Sequence, residues 1–322
     1  MKSPVLFLAL GLSVAATGIS AVSAQPAPAP AAPVASRPPV DTHGVDMRTQ
    51  AGPPGPEKYS PPFPVDPKLP TLWLIGDSTV RNGSAGDGTN LGQWGWGAPL
   101  TFLFDPGKVN VVNRALGGTS ARSFHGANWP RMVDLIKPGD VVILQFGTND
   151  GGDPARSVGE LRGLGDETET VINPRTGQPE VVHTFGWYLR RFIAETRARG
   201  ATPVVCSLIP RKRWEADGRI RRDHDTFAGW AEQVAAAEHA GFVDLNELSA
   251  RRLDQLGRAA ADRLYVPNPT PARPMGETVH TGWDGAVINA GLVVAGLKAL
   301  PDDPVAAWFS AQGLAVAPAA GS

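Results

Sequence analysis

The sequence predicts an α/β fold of three layers, in which helices cover both faces of a central parallel sheet of about five strands. Short apolar runs alternate along the chain with longer helix-forming stretches, which is typical of parallel sheets. The runs are apolar nearly throughout, as expected for strands that are buried on both faces. The composition, 42% hydrophobic and 19% charged, is that of an ordinary globular protein.

The predicted elements follow one another in a regular order. Five strands are expected at residues 71–76, 109–113, 141–146, 202–208 and 241–245. Helices are expected at residues 129–136, 185–199, 225–239, 249–258 and 284–300. Ligands of such folds bind beyond the carboxyl ends of the strands, so those ends are where chemistry is to be sought.

The N-terminus has the features of an export signal. Lys2 precedes an almost wholly apolar run over residues 5–16, and small residues at 22–24 provide a cleavage position. The run is too short and too interrupted by glycine and serine for a membrane span. We therefore expect residues 1–24 to be a cleaved signal peptide, the protein to be secreted or periplasmic, and no membrane anchor to remain.

Proline content divides the remainder of the chain. Residues 25–70 hold 14 of the 31 prolines, which favours an extended chain over helix or sheet. We predict a Pro/Ala-rich linker and extended segment over 25–69 and a catalytic domain over 70–301. The tail over 302–322 is expected to be frayed.

Charge and cysteine content exclude several functions. A net charge of −1 argues against a nucleic-acid partner. The single cysteine, Cys206, excludes an intramolecular disulfide framework and multi-cysteine metal sites, and is expected to be buried and inert. The six histidines include no pair with zinc-motif spacing, so no metal and no cofactor are predicted.

The predicted strand ends carry a recognisable set of motifs. The first runs into Gly76-Asp77-Ser78-Thr79, the second is followed by Gly117-Gly118, and the third by Gly147-Thr148-Asn149-Asp150. A fourth block, Gly276-Glu-Thr-Val-His-Thr281, lies near the C-terminus. Together these resemble the four blocks of the SGNH (GDSL-type) hydrolases, a superfamily of esterases and deacetylases. The resemblance implies a flavodoxin-like fold.

The motifs supply the groups that acyl transfer needs. A serine hydroxyl becomes a good nucleophile when an imidazole accepts its proton and an acid fixes the imidazole tautomer. Ser78 is the predicted nucleophile, His280 the base and Glu277 the acid. The superfamily's usual residue at the acid position is aspartate, so Asp284 is a rival partner of the histidine, although it also suits a helix cap.

The tetrahedral intermediate of such a reaction needs hydrogen-bond donors for its oxyanion. The predicted donors are the backbone N–H groups of Ser78 and Gly118 and the side-chain amide of Asn149. Glycine at position 118 suits a backbone that approaches substrate closely.

Further segments indicate which branch of the superfamily the sequence resembles. Residues 121–124, 165–169 and 181–189 are similar to the rhamnogalacturonan acetylesterase branch, carbohydrate esterase family 12. This implies an acetylated pectic polysaccharide as substrate. Separately, we expect the protein to be a monomer. The alternatives are a deacetylase of xylan or of an envelope polysaccharide, a broad short-chain esterase, and a carbohydrate-binding protein that has lost catalysis.

Several residues are predicted substrate contacts. Arg211, Arg213 and Trp214 follow the fourth strand, where arginine suits uronate carboxylates and tryptophan stacks on sugars. The alternative is that this basic loop is merely solvated. The other candidates are Asp77; Trp283, which either stacks on sugar or covers the core; and His183, which either caps a helix or touches substrate.

Overall fold

The computed structural model describes Pro64 and residues 66–81, 92–266 and 277–320. The predicted signal peptide and nearly all of the proline-rich segment lie outside the described residues. The elements in chain order are β1 (Thr71–Gly76), α1 (Gly97–Leu100), β2 (Asn110–Asn113), α2 (Ala121–Ala127), β3 (Val141–Gln145), β4 (Thr168–Ile172), β5 (Pro179–His183), α3 (Phe185–Ala198), β6 (Thr202–Cys206), α4 (Phe227–Ala237), β7 (Gly241–Val243), α5 (Leu245–Leu256), α6 (Arg258–Asp262), α7 (Trp283–Lys298) and α8 (Ala311–Ala315).

The five predicted strands form one parallel sheet, in the order β2-β1-β3-β6-β7. The prediction of a central parallel sheet is therefore confirmed. The chain leaves β1 toward one edge and later returns to place β3 on its other side. The carboxyl ends of β1 and β3 thus flank a topological switch point, where such folds bind ligands.

Alternate residues of each strand enter two separate cores. Trp73 and Ile75 pack on one face of β1 with helices α2, α3 and α4. Leu72 and Leu74 point to the opposite face, which is covered by α1, α5 and α7. This alternation follows from the two-residue period of a strand, and it confirms the three-layer arrangement. Cys206 is 1% exposed, and burial raises the pKa of its thiol.

The helix predicted over residues 129–136 is wrong. Two short 3-10 turns occupy Trp129–Arg131 and Val133–Leu135, and the helix of this crossover is the earlier α2. The side chains of Ser120 and Ser123 form a capping box that starts α2 directly after the Gly118 loop. Helix α5 likewise starts before the predicted residue 249, because Asp244 caps its first turn.

The sequence pattern did not predict the antiparallel hairpin formed by β4 and β5. Most of its residues are exposed, so apolar periodicity gives little signal. The hairpin packs on α2 through Glu180, which forms a bidentate ion pair with the buried Arg122, with N–O distances of 2.9 and 2.6 Å.

The segment after Pro301 is not frayed over its described residues. Val305 is fully buried and Phe309 is 3% exposed, with its ring 5.2 Å from that of Phe104. The ammonium group of Lys298 donates to carbonyl oxygens of this segment, including that of Val316 at 2.7 Å. The C-terminal segment therefore completes the core on the face covered by α1 and α7. Within the described part of the chain, no helix has both the length and the apolar character needed to cross a bilayer.

Candidate active site

The turn after β1 holds Ser78 at the carboxyl edge of the sheet. The side-chain Oδ1 of Asp77 accepts hydrogen bonds from the backbone N–H and the hydroxyl of Thr79, at 2.7 and 2.8 Å. A side chain on Gly76 would lie 2.6 Å from the carbonyl oxygen of Gln145, so only glycine fits where the turn begins. The sequence thus folds into a tight turn that places the serine beside the neighbouring strand.

His280 faces this serine. Its Nε2 lies 2.9 Å from the Ser78 Oγ, although 202 positions separate the two residues in the chain. An imidazole nitrogen at this distance can accept the hydroxyl proton. The structure therefore brings together the predicted nucleophile and the predicted base.

Glu277 stands on the other side of the imidazole. Its Oε2 lies 3.3 Å from the His280 Nδ1, an ion-pair distance without the alignment of a full hydrogen bond. Its Oε1 accepts the backbone N–H groups of Thr278 and Val279 at 2.8 and 2.9 Å. The carboxylate thus turns back toward the backbone of its own loop. This conformation accommodates the extra methylene that glutamate has over aspartate.

The surroundings keep Glu277 ionised. The facing imidazole of His280 and the N–H groups of Val279 and Thr278 lower the pKa of the carboxyl to about 2, against the opposing effect of burial. The rival, Asp284, has an exposed side chain in the first turn of α7 and makes no ion pair with His280. The structure places Glu277, and not Asp284, beside the imidazole.

Backbone hydrogen bonds fix the histidine loop to its neighbours. The N–H of Lys212 donates to the carbonyl of Thr278 at 2.7 Å, and the N–H of Val266 donates to the carbonyl of His280 at 3.1 Å. Thr281 exchanges two bonds with Trp94: the N–H of Trp94 donates to the Thr281 carbonyl, and the Thr281 hydroxyl donates to the Trp94 carbonyl. The imidazole is therefore held in place from several directions.

The two remaining predicted oxyanion residues lie on adjoining loops. Gly118 is exposed and has φ of +73°, a conformation that favours glycine. The amide Nδ2 of Asn149 donates to the carbonyl of Thr119 at 2.9 Å, which ties the loop after β3 to the loop after β2. Because a side-chain amide has two N–H donors, the second can point elsewhere.

The carboxyl groups of Asp150 and Glu160 are buried beside these loops, and that of Asp150 connects the two. The Oδ1 of Asp150 accepts the N–H of Ala121, and its Oδ2 accepts the N–H of Gly147, both at 2.7 Å. Burial raises the pKa of Asp150 to about 6. Glu160 is also buried, and burial together with the neighbouring Asp150 raises its pKa well above the usual range. Asp150 belongs to the motif Gly147-Thr148-Asn149-Asp150, but neither its structural role nor its proximity to Glu160 can be inferred from the sequence.

The basic loop after β6 reaches the site through Arg211. Its guanidinium donates to the carbonyl of Thr148 at 3.1 Å, directly beside Asn149. Arg213 is exposed. Lys212 between them points inward, where its ammonium pairs with Asp262 at 2.7 Å. Arg211 therefore lies at the site edge, while Lys212 anchors the loop.

Two other predicted substrate contacts, Asp77 and Trp283, are buried. Asp77 has no exposed surface, because its carboxylate serves the serine turn. Trp283 is 4% exposed and packs edge-on against Trp94, with ring centroids 4.9 Å apart, so it covers the core. The burial of Trp283 favours the second of its two predicted roles, cover for the core, and Asp77 presents no surface to a substrate in this structure.

Trp214 and His183 have partners within the protein. Trp214 packs against the small core of Ile220 and Tyr265, and the Arg258 guanidinium lies 5.1 Å from its ring centroid. The imidazole of His183 stacks on Trp187 with centroids 3.7 Å apart. The residue that caps α3 is Thr184, not His183. Neither Trp214 nor His183 has a recorded contact with Ser78 or His280.

The described residues contain no group of three or more His, Cys, Asp or Glu side chains arranged to hold a metal ion. The absence of a metal and of a cofactor stays a prediction.

Comparison with known proteins shows which family the chain belongs to. The model of the GDSL-like Lipase/Acylhydrolase family matches residues 74–285. Rhamnogalacturonan acetylesterase of Emericella nidulans is 31% identical over 213 residues, which are 65% of this chain and 80% of that protein. The probable rhamnogalacturonan acetylesterase YesY of Bacillus subtilis is 28% identical over 232 residues, which are 71% and 93% of the two chains.

A solved structure supports the fold. The crystal structure of protein YxiM from Bacillus subtilis matches 71% of this chain with a TM-score of 0.55 and 24% identity. The match covers 56% of that protein, so this chain spans just over half of its length. The family match includes the serine turn, both oxyanion loops and the histidine loop. The chain belongs to the GDSL-like lipase/acylhydrolase family, resembles rhamnogalacturonan acetylesterases within it, and is a carboxylic ester hydrolase.

Proposed function

We propose that the protein is a secreted serine esterase that removes O-acetyl groups from rhamnogalacturonan or a related pectic polysaccharide. The observation that carries this proposal is the 2.9 Å contact between the Ser78 hydroxyl and the His280 imidazole at the carboxyl edge of the sheet. The names of two similar proteins, a rhamnogalacturonan acetylesterase and a probable rhamnogalacturonan acetylesterase, support a carbohydrate acetyl ester as the substrate.

The reaction proceeds in two halves. The Ser78 Oγ attacks the acetyl carbonyl carbon while the His280 Nε2 takes the hydroxyl proton. The imidazolium then returns that proton to the departing sugar oxygen, which leaves an acetyl group on Ser78. A water molecule attacks this ester while His280 takes a proton from the water. The imidazolium returns that proton to the Ser78 Oγ as the ester bond breaks, and acetate departs. Glu277 stabilises the imidazolium and selects the tautomer with the Nδ1 proton.

The oxyanion of each tetrahedral intermediate accepts hydrogen bonds from the N–H groups of Ser78 and Gly118 and from the amide of Asn149. The bond from Asn149 to the Thr119 carbonyl orients the amide before substrate arrives, so its second N–H is available. Donors fixed in advance stabilise the transition state without reorganising.

Acetate release from a panel of acetylated rhamnogalacturonan, pectin and xylan fragments tests the substrate. Preference for the pectic fragments supports the proposal. A higher kcat/KM on acetylated xylan would replace it with a xylan deacetylase, and equal rates on all fragments and on p-nitrophenyl acetate would indicate a broad short-chain esterase. A carbohydrate-binding protein without catalysis would release no more acetate than its Ser78→Ala variant.

Arg211 and Arg213 supply positive charge for the uronate carboxylates of such a polymer. The double variant Arg211→Ala/Arg213→Ala should lose more activity on acetylated pectic fragments than on a neutral acetyl ester. Equal losses on both substrates would remove this loop from uronate recognition.

Secretion is a separate part of the proposal. Expression of the full chain in a bacterial host followed by mass spectrometry of the exported protein should give a mature N-terminus after Ala24. Retention of residues 1–24 on a cytoplasmic product would contradict export.

A further inference from the structure

We infer that Arg175, at the tip of the β4–β5 hairpin, binds a carboxylate of the substrate beside the catalytic serine. This deepens the proposed function and rests on it, since it specifies which charged group of an acetylated polymer the site recognises. No sequence motif points to Arg175, which lies in an exposed turn.

The turn that carries Arg175 is tightly organised. The side chain of Asn173 accepts the backbone N–H groups of Arg175 and Thr176, and the Gly177 N–H donates to the Asn173 carbonyl. Gly177 has φ of +71°, which closes the turn. Arg175 therefore projects from a defined backbone.

The hairpin is attached to the active site through α2. Glu180 on β5 pairs in a bidentate manner with Arg122, which is 3% exposed and also donates to the carbonyls of Pro154 and Gly159. Arg122 lies on the helix that starts directly after the Gly118 loop. A bidentate pair with one buried partner fixes direction as well as distance. The hairpin tip is thereby held over the oxyanion loop.

Arg175 touches that loop. Its guanidinium donates to the carbonyl of Gly118 at 3.3 Å. The proposed oxyanion donor is the N–H of the same residue, so the guanidinium contacts the residue that carries this donor. A Cβ on Gly118 would meet nothing within 4 Å, so the space above this residue is open. A sugar ring can occupy it while its acetyl group lies at Ser78.

The guanidinium group of Arg175 favours a carboxylate as its ligand. Arg175 is exposed and forms no ion pair with a carboxylate among the described residues. Its planar fork has five N–H donors, of which this contact uses one, and it matches a carboxylate bidentately. A uronic acid carries its carboxylate on the same ring as the hydroxyls that are acetylated. Arg211, on the loop after β6, donates to the carbonyl of Thr148 and so contacts the other oxyanion loop, the one that carries Asn149. The two arginines thus flank the reacting group.

The test measures inhibition of p-nitrophenyl acetate hydrolysis by unacetylated oligogalacturonide and by its neutral methyl ester. The enzymes are the wild type, Arg175→Gln, Arg175→Lys and the control Arg131→Gln. Arg131 is an exposed arginine that follows α2 on the way to the opposite edge of the sheet.

In Arg175→Gln we expect the Ki of oligogalacturonide to rise by about tenfold, the effect of losing one charged hydrogen-bonded contact, and by more than any change in kcat on p-nitrophenyl acetate. Arg175→Lys should recover part of the affinity, Arg131→Gln should match the wild type, and the methyl ester should inhibit all four proteins alike. Added salt should weaken inhibition of the wild type more than inhibition of Arg175→Gln.

An unchanged Ki in Arg175→Gln would overturn the inference. So would an equal fall of kcat on the neutral ester, because Arg175 would then only support the Gly118 loop. If a pectic polymer is not the substrate, the result is different. The wild type would then deacetylate pectic fragments no better than xylan, whereas the Ki of oligogalacturonide would still depend on Arg175.

Discussion

Replacement of Glu277 by glutamine tests the coupling of carboxylate, imidazole and serine. Glutamine keeps the length of the side chain, so the loop can keep its shape. In the wild type, Oε1 accepts two backbone N–H groups and Oε2 faces the His280 Nδ1. An amide has only one oxygen, so one of these two sides must receive the NH2 group.

The structure decides which side that is. Turning the NH2 group toward Thr278 and Val279 would leave two N–H donors without an acceptor, at a cost of about 1–3 kcal/mol each. The amide oxygen therefore stays on the backbone side, and the NH2 group faces the imidazole. His280 must then accept at Nδ1 and carry its proton on Nε2, where it cannot take the proton of Ser78. A wrong tautomer of this kind lowers kcat by up to about 10⁴-fold in a serine hydrolase.

We expect Glu277→Gln to lose about 10³–10⁴-fold in kcat on p-nitrophenyl acetate, with a change in KM that is small by comparison. The matched control is Asp284→Asn, which removes an exposed carboxylate that makes no ion pair with His280 and should keep full activity. Thermal unfolding of both variants checks that they fold. A larger loss in Asp284→Asn than in Glu277→Gln would assign the acid to Asp284 and refute the reasoning.

Other perturbations have equally definite outcomes. Asn149→Ala should lower kcat by about 10²–10³-fold in a steady-state assay with KM nearly unchanged, and an unaltered kcat would exclude this amide from the oxyanion site. Folding raises the pKa of Asp150 to about 6 and raises that of Glu160 well above its usual range, so the unfolded state releases these protons at lower pH. The free energy of unfolding from urea titrations should therefore fall as pH rises through about 6, and Glu160→Gln should flatten this dependence, whereas equal slopes in both proteins would contradict the buried pair.

The sequence predicted the sheet and the reacting groups for a common physical reason. Strands buried on both faces must be apolar runs, and parallel strands bring their carboxyl ends to one edge, where the motifs that follow them meet. His280 reaches the same edge in another way, because its loop precedes α7 and does not follow a strand, and it contacts Ser78 across 202 positions.

What the sequence missed depends on tertiary contacts. The β4–β5 hairpin is mostly exposed and is held by the pair of Glu180 with Arg122, which no local pattern reveals. The burial of Trp283 depends on the orientation of α7 against Trp94. Asp150 and Glu160 approach each other only after the loops close around them, so their raised pKa values could not be anticipated from sequence spacing.

Reaction with an organophosphonate ester, followed by peptide mapping, tests the central mechanism most directly, because the reagent modifies only a hydroxyl that a neighbouring base has activated. The account predicts a single phosphonyl adduct on Ser78, its absence in Ser78→Ala, and labelling slowed by orders of magnitude in His280→Ala. Unmodified Ser78 in an enzyme that still releases acetate, or labelling as fast in His280→Ala as in the wild type, would contradict it.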